Sequence, residues 1–95
     1  MPIEIRLVQT QLDTAIVVFD GRILEIFRTL WEGKTRRYHA AMIAEIQVQT
    51  DKKGAHMLNV KAHAGYTDLL TVENSALPAV QELVAQVQQA MGNYR

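Results

Sequence analysis

Apolar and polar residues alternate along most of the first 73 residues, which is the pattern of β-strands with one buried face. The alternation is clearest at the start, where Ile3, Ile5 and Leu7 share one parity and Glu4 and Arg6 the other. Seven segments of this kind are predicted to be strands: IEIRLV, TAIVVF, RILEIFRTLW, TRRYH, MIAEIQVQ, HMLNVKAHA and TDLLTVE. In the fifth of them, the inward residues are predicted to be Met42, Ala44, Ile46 and Val48.

Aspartate and glycine between these segments predict tight turns. Asp20-Gly21 predicts a two-residue hairpin, because glycine tolerates the positive φ that such turns require. Glu32-Gly33-Lys34 predicts the next turn, with TRRYH as a short edge strand. TDKKG predicts another, since Asp51 can bond the following backbone and Gly54 can adopt a left-handed conformation.

The period changes near residue 75, where apolar residues recur at the spacing of a helix with one buried face. Asn74 or Ser75 can cap its start, Pro78 fits the first turn, and Gly92 marks the end. The apolar positions are Leu77, Val80, Leu83, Val84, Val87 and Met91. The prediction is a mainly β fold, with seven antiparallel strands over about residues 3–73 forming a barrel or sandwich, capped by one C-terminal helix over about residues 75–91.

Composition narrows the class of protein. The 95 residues are expected to form one domain over residues 1–95, and 48% hydrophobic content is enough for a core. Ten basic and ten acidic residues balance, which disfavours general binding of nucleic acid by charge. The chain has no cysteine and shows neither a signal peptide nor a long apolar run, so a cytoplasmic protein is expected.

Three stretches carry a resemblance to a known superfamily. VVFDGRILEIFR has a tight Asp-Gly turn and a strand ending in arginine, RYHAAMIAEIQV has an isoleucine before an alternating strand, and TDLLTVENSALPAVQELVAQVQQA runs from a last strand into a helix. Together they resemble the pleckstrin-homology-like (PH-like) superfamily, and more narrowly short bacterial PH-like domains, many of them of unknown function. The resemblance implies an antiparallel barrel closed by the helix and serving as a scaffold for lipids, peptides or self-assembly.

The resemblance does not imply phosphoinositide binding. Lipid-binding members of the superfamily carry spaced basic residues across their first hairpin, whereas this hairpin, residues 3–19, offers Arg6 alone. Fold by itself does not choose between the remaining uses.

Five cations lie at two predicted turns: Lys34, Arg36, Arg37, Lys52 and Lys53. If the strands simply alternate in direction, both turns fall at one end of the barrel, where the cations could hold a phosphate or a carboxylate. The competing interpretation is that charged turns are solvated and neighbouring carboxylates neutralise them. Trp31 beside the cluster is interpreted as a core residue in preference to an interfacial anchor.

No catalytic or metal-binding pattern is present in the sequence. His56 and His63 have opposite parity on one strand, and His39 stands beside an edge, so no metal site is predicted. There is no nucleophile elbow, phosphate-binding glycine loop or cysteine, so neither an enzyme nor a cofactor is expected.

The second and third strands carry apolar residues on both faces, whereas strands of a sheet that is covered on one side carry them on one face. Pairing across the turn places Val17, Phe19, Leu24 and Ile26 on one face, and these four are predicted to form a homo-oligomer interface. The opposite face, which includes Ile16, Val18, Ile23, Phe27 and Trp31, is predicted to enter the core because it has the larger aromatics. The leading hypothesis is a non-enzymatic, self-associating PH-like module. The alternative is a peripheral binder of anionic lipid or a phosphorylated ligand, acting through the five cations at a membrane surface or in solution.

Overall fold

The structure, a computed structural model, describes residues 2–94 and confirms the mainly β fold. β1 covers Ile3–Thr10, β2 Asp13–Phe19, β3 Ile23–Arg28, β4 Thr35–His39, β5 Ile43–Thr50, β6 His56–Ala62 and β7 Thr67–Val72. The helix α1 covers Leu77–Gly92, and single 3₁₀ turns lie at Thr29–Trp31, Ala40–Met42 and Asn74–Ala76. The helix starts later than residue 75 because the chain enters it through the last of these turns.

The strands form two antiparallel sheets. Sheet A has the order β1-β2-β3-β4 and sheet B the order β5-β6-β7. The edges of the two sheets meet at β1 and β7, where the Gln9 side chain takes the place of backbone hydrogen bonds between strands. Its Nε2 donates to the Thr71 carbonyl at 3.0 Å, and the Thr71 N–H donates to its Oε1 at 2.8 Å. The Val8 N–H donates to Glu73 Oε1 at 3.2 Å beside them. Side-chain bonds therefore join β1 to the end of β7.

The core lies between the two sheets and α1. Each sheet contributes one face, and the helix contributes the stripe predicted from its spacing. Fully buried side chains from the three layers include Leu7, Val17, Leu24, Ile26, Leu58, Val60, Leu70, Val80, Leu83 and Val87. Each burial contributes about 1.5–3 kcal/mol before conformational entropy is counted.

The β2–β3 turn differs from the prediction by one residue. The Asp20 N–H donates to the Ile23 carbonyl at 3.3 Å, so the central residues are Gly21 and Arg22 instead of Asp20 and Gly21. Asp20 Oδ1 accepts from the N–H groups of Arg22 and Ile23, both at 2.8 Å, and Gly21 has a φ of 98°. The side chain of Asp20 thus holds the turn, while glycine supplies the positive φ.

Two predicted strands have different bounds in the structure: β3 is shorter, and β5 is displaced by one residue. β3 ends at Arg28, and the 3₁₀ turn that follows carries Trp31 off the strand to pack, half-buried, against the core. β5 begins at Ile43, with an irregular register between Ile43 and Glu45. The prediction that Met42 points inward is wrong: the bulge shifts the parity, so Ile43 is buried and Met42 is 43% exposed, while Ala44 is half-buried.

A buried ion pair lies at one end of the core face of sheet A. Arg28 donates from both Nε, at 2.9 Å, and Nη2 to Asp13 Oδ2, and the Leu30 N–H donates to Oδ1 at 3.4 Å. Asp13 is 1% exposed. The Arg28 hydrogen bond is the largest cause that holds the pKa of Asp13 below its ordinary value of 3.8.

We expect Asp13→Asn to weaken the dependence of stability on acid. A carboxyl whose pKa is lower in the folded chain stabilises it above about pH 4, and this contribution is lost as the pH falls through the folded pKa. Denaturant unfolding from about pH 6 down to about pH 2 should therefore show a shallower slope for Asp13→Asn. Arg28→Met should reduce the same slope, while carboxyls such as Asp20, whose pKa is lowered by the Ile23 and Arg22 N–H groups, sustain the remainder. A slope that neither variant changes would contradict this role.

Candidate functional site

The outer face of sheet A carries an apolar strip made of four side chains from β2 and β3. We call this set the outer strip: Ile16, Val18, Ile23 and Phe27. The strand register places Ile16 opposite Phe27 and Val18 opposite Glu25, and Ile23 follows Glu25 on the same face. Because alternate residues of a strand share a face, all four point away from the buried Val17 and Leu24.

The outer strip is accessible to solvent. Phe27 is 37% exposed and the other three are half-buried. A shallow depression of about 420 Å³ is lined by Ile16 and Phe27 together with Arg6 and Thr14. The buried stripe of α1 belongs to the core cluster, and the four side chains of the outer strip do not.

Charged residues frame the outer strip. Arg6 pairs with Ile16 and Glu4 with Val18 on the β1 side, and on the β4 side Arg37 pairs with Glu25 in the register. The Nε of Arg37 lies 3.2 Å from Glu25 Oε2. The outer strip is therefore bordered by both signs of charge and interrupted once, by Glu25, which lies between Ile23 and Phe27 on β3 and opposite Val18. An apolar patch bordered by charges is typical of a docking surface.

The outer face of sheet B is different. Its cross-strand rows are mostly polar, and they are Glu45–Lys61–Thr67, Gln47–Asn59–Leu69 and Gln49–Met57–Thr71. Leu69 is the one branched aliphatic side chain among them, 48% exposed. The apolar excess is therefore specific to sheet A.

The interface predicted from the sequence is wrong. Val17, Leu24 and Ile26 are 0% exposed and Phe19 is 2% exposed, because these four line the core. The grouping of residues into two faces is correct, since the register pairs Phe19 with Leu24 and Val17 with Ile26. The choice between the faces failed for two reasons. Trp31, counted toward the core, leaves the strand, and Arg28, a charged residue on the face that is buried, has an inward partner in Asp13.

The five cations do not converge as predicted. Lys34 and Arg36 lie at the β3–β4 end, where Arg36 contacts the β6–β7 region through Tyr66 and Asp68. Lys52 and Lys53 lie in the β5–β6 turn, which is at the other end of β6. The seven residues of β6 span about 20 Å. Arg37 points to the outer face of sheet A and bonds Glu25. Anion binding by either group of cations stays a prediction.

Arg36 belongs to a stack of cations and rings. Its guanidinium carbon lies 5.9 Å from the Trp31 ring centroid and 5.1 Å from that of Tyr66. The guanidinium carbon of Arg28 lies 5.6 Å from the same Trp31 centroid. Arg36 Nε is 3.5 Å from Asp68 Oδ2. Since carboxylates accompany both arginines, this stack reads as a closure of one end of the sandwich.

The buried Tyr38 completes this end. Its hydroxyl donates to Asp68 Oδ2, and its ring centroid is 5.5 Å from that of Tyr66. Burial and then the Asp68 hydrogen bond raise the pKa of Tyr38, so the hydroxyl stays protonated. Neither this pair nor the Asp13–Arg28 pair was predicted from the sequence. Strand parity held the signal, because Asp13 shares the parity of Ala15 and Val17, and Asp68 that of Leu70.

The histidines have local partners. His39 Nδ1 accepts from the Ala41 N–H at 3.1 Å, and its ring meets Tyr94 edge-on with centroids 5.0 Å apart. His56 Nδ1 is 2.8 Å from Thr50 Oγ1. In the described part of the chain, no three side chains of metal-ligating type cluster together. Over the same residues, no helix combines the length and the apolar character needed to cross a bilayer.

Comparison with known proteins adds no assignment. No protein-family model matches the chain, and no curated protein matches its sequence. The function of the chain therefore has to be inferred from the geometry of its surfaces.

Proposed function

We propose that the chain is a PH-like interaction module that has no catalytic activity and associates with itself through the outer face of sheet A. The PH-like assignment is supported by the order of seven antiparallel strands, the division into two sheets and the helix at the C-terminal end. Because such a fold serves many uses, the function has to come from a surface.

The outer strip is the observation that carries the proposal. Four apolar side chains grouped around Glu25 on one sheet face destabilise a monomer, since apolar area left in water forgoes about 25 cal/mol per Å². The outer face of the other sheet is mostly polar, so the apolar outer face is a feature of sheet A. When the outer strip of one copy packs on that of a second copy, the apolar area of both strips is removed from water.

The area available predicts a weak association. Four strands about 4.8 Å apart and five residues about 3.3 Å apart give a footprint of roughly 300 Å². Stable interfaces bury about 800 Å² on each partner. We therefore expect exchange between monomer and dimer within roughly the micromolar to millimolar range.

We expect light scattering and sedimentation to show a mass that rises with concentration from 10.7 kDa toward twice that value. Ile16→Asp combined with Phe27→Asp should hold the mass at that of the monomer without changing the circular dichroism spectrum. Leu69→Asp with Thr71→Asp places the same charges on the outer face of sheet B and should leave the association intact. A wild-type chain that stays monomeric across the whole range would contradict the proposed function.

A further inference from the structure

We propose that two copies pack face to face about a twofold axis that runs parallel to the strands, between β2 and β3. This inference rests on the proposed function and specifies the orientation of the partner. The observation behind it is the distribution of charge along the cross-strand rows of sheet A.

Two rows cross the outer face. The register gives them as Arg6–Ile16–Phe27–Thr35 and Glu4–Val18–Glu25–Arg37. In the second row, an acidic residue stands at the β1 edge and a basic one at the β4 edge. The two ends of the row therefore carry opposite charges, and between them Val18 is neutral and Glu25 is paired with Arg37 of its own chain.

A twofold axis along the strands reverses the order of the residues within each row and keeps each row at the same position along the strands. Glu4 then faces Arg37 of the second copy, and Ile16 faces its Phe27. Each contact occurs twice, because a twofold interface is isologous. Arg37 is 64% exposed along its side chain, so it can reach across while its Nε stays beside Glu25. Opposite charges at the margins would favour this register over others.

The other twofold axis in the plane of the face runs across the strands. That axis places Phe27, the most exposed residue of the outer strip, against the carboxylate of Glu25 in the second copy. The axis along the strands instead gives Phe27 an apolar partner in Ile16. Glu25 then lies opposite the smaller Val18, beside Arg37 of its own chain. Pairing of apolar with apolar area decides for the axis along the strands.

A charge exchange tests the axis. Glu4→Arg and Arg37→Glu are made singly and together, and the dimer dissociation constant is measured by sedimentation at low salt. Each single change places like charges opposite each other, and we expect at least a fivefold weaker dimer. The double variant should return to within about twofold of the wild type, because the pair is restored with reversed sign. High salt should shrink these differences.

The control exchanges a charge pair on the outer face of sheet B. Glu45 and Lys61 are opposite each other across β5 and β6, so Glu45→Arg and Lys61→Glu change net charge by the same amounts and should leave the dissociation constant unaltered. A fourth variant, Glu4→Arg with Arg6→Glu, tests the axis across the strands, which places these two residues opposite each other. If this variant, and not the Glu4–Arg37 exchange, restores the wild-type dissociation constant, the axis runs across the strands.

The outcomes separate the two proposals. Rescue by the Glu4–Arg37 exchange supports the axis along the strands. Rescue by the Glu4–Arg6 exchange, or by neither, overturns that axis, while loss of association in Ile16→Asp with Phe27→Asp still supports the surface. A wild type that never dimerises overturns both the surface and the axis.

Discussion

Phe19→Asp combined with Ile26→Asp is expected to unfold the protein. Both side chains lie in the core, at 2% and 0% exposure. Each replacement forfeits about 1.5–3 kcal/mol of apolar burial. Each also brings an unpaired carboxylate into the core, at a cost on the order of several kcal/mol. A domain of this size is stable by roughly 5–14 kcal/mol, so the double change exceeds what the fold can absorb.

The matched control for this prediction lies on the same two strands. Ile16→Asp with Phe27→Asp introduces the same charges on the opposite face, where side chains reach water, and should leave the fold intact. Circular dichroism and thermal unfolding distinguish the two variants. If the Phe19 and Ile26 variant kept a cooperative transition, the core face of sheet A would be assigned incorrectly.

Removal of the helix is expected to abolish cooperative folding. A chain ending at Ala76 loses five buried residues of α1, namely Val80, Leu83, Val87, Ala90 and Met91. The four larger ones contribute roughly 1.5–3 kcal/mol each, a sum comparable with the whole stability of a domain of this size. The sheet residues they cover, such as Ile46 and Leu7, would then be exposed, and we expect the truncated chain to aggregate.

Point variants in the intact helix provide the control. Leu83→Ala should destabilise by about 2–5 kcal/mol, because it deletes a buried side chain and leaves a cavity. Gln86→Ala, one turn along on the exposed side, should change the unfolding midpoint little. A truncated chain that remained monomeric with a sharp transition would show that the helix is not required to complete the core.

The sequence by itself determined the elements and much of their pairing. Alternation with a period of two marked seven strands, and the change to helical spacing marked α1, because backbone geometry imposes those periods whatever the tertiary context. Pairing across the Asp20-Gly21 region also separated the side chains of β2 and β3 into two correct sets. Moving the turn by one residue at both ends preserved that grouping, since it shifted the register by two residues.

The tertiary structure decided which set is buried and which charges meet. Parity shows that Val17 and Leu24 share a face, but the packing of sheet B and α1 onto that face made it the core. Simple alternation of strand direction likewise predicted that the β3–β4 and β5–β6 turns lie at the same end of the fold. In the folded chain Arg36 instead meets Tyr66 and Asp68, because the two sheets pack so that the end of β6 carrying the β6–β7 turn lies against β4. These choices depend on contacts between residues far apart in sequence, and local periodicity carries no information about them.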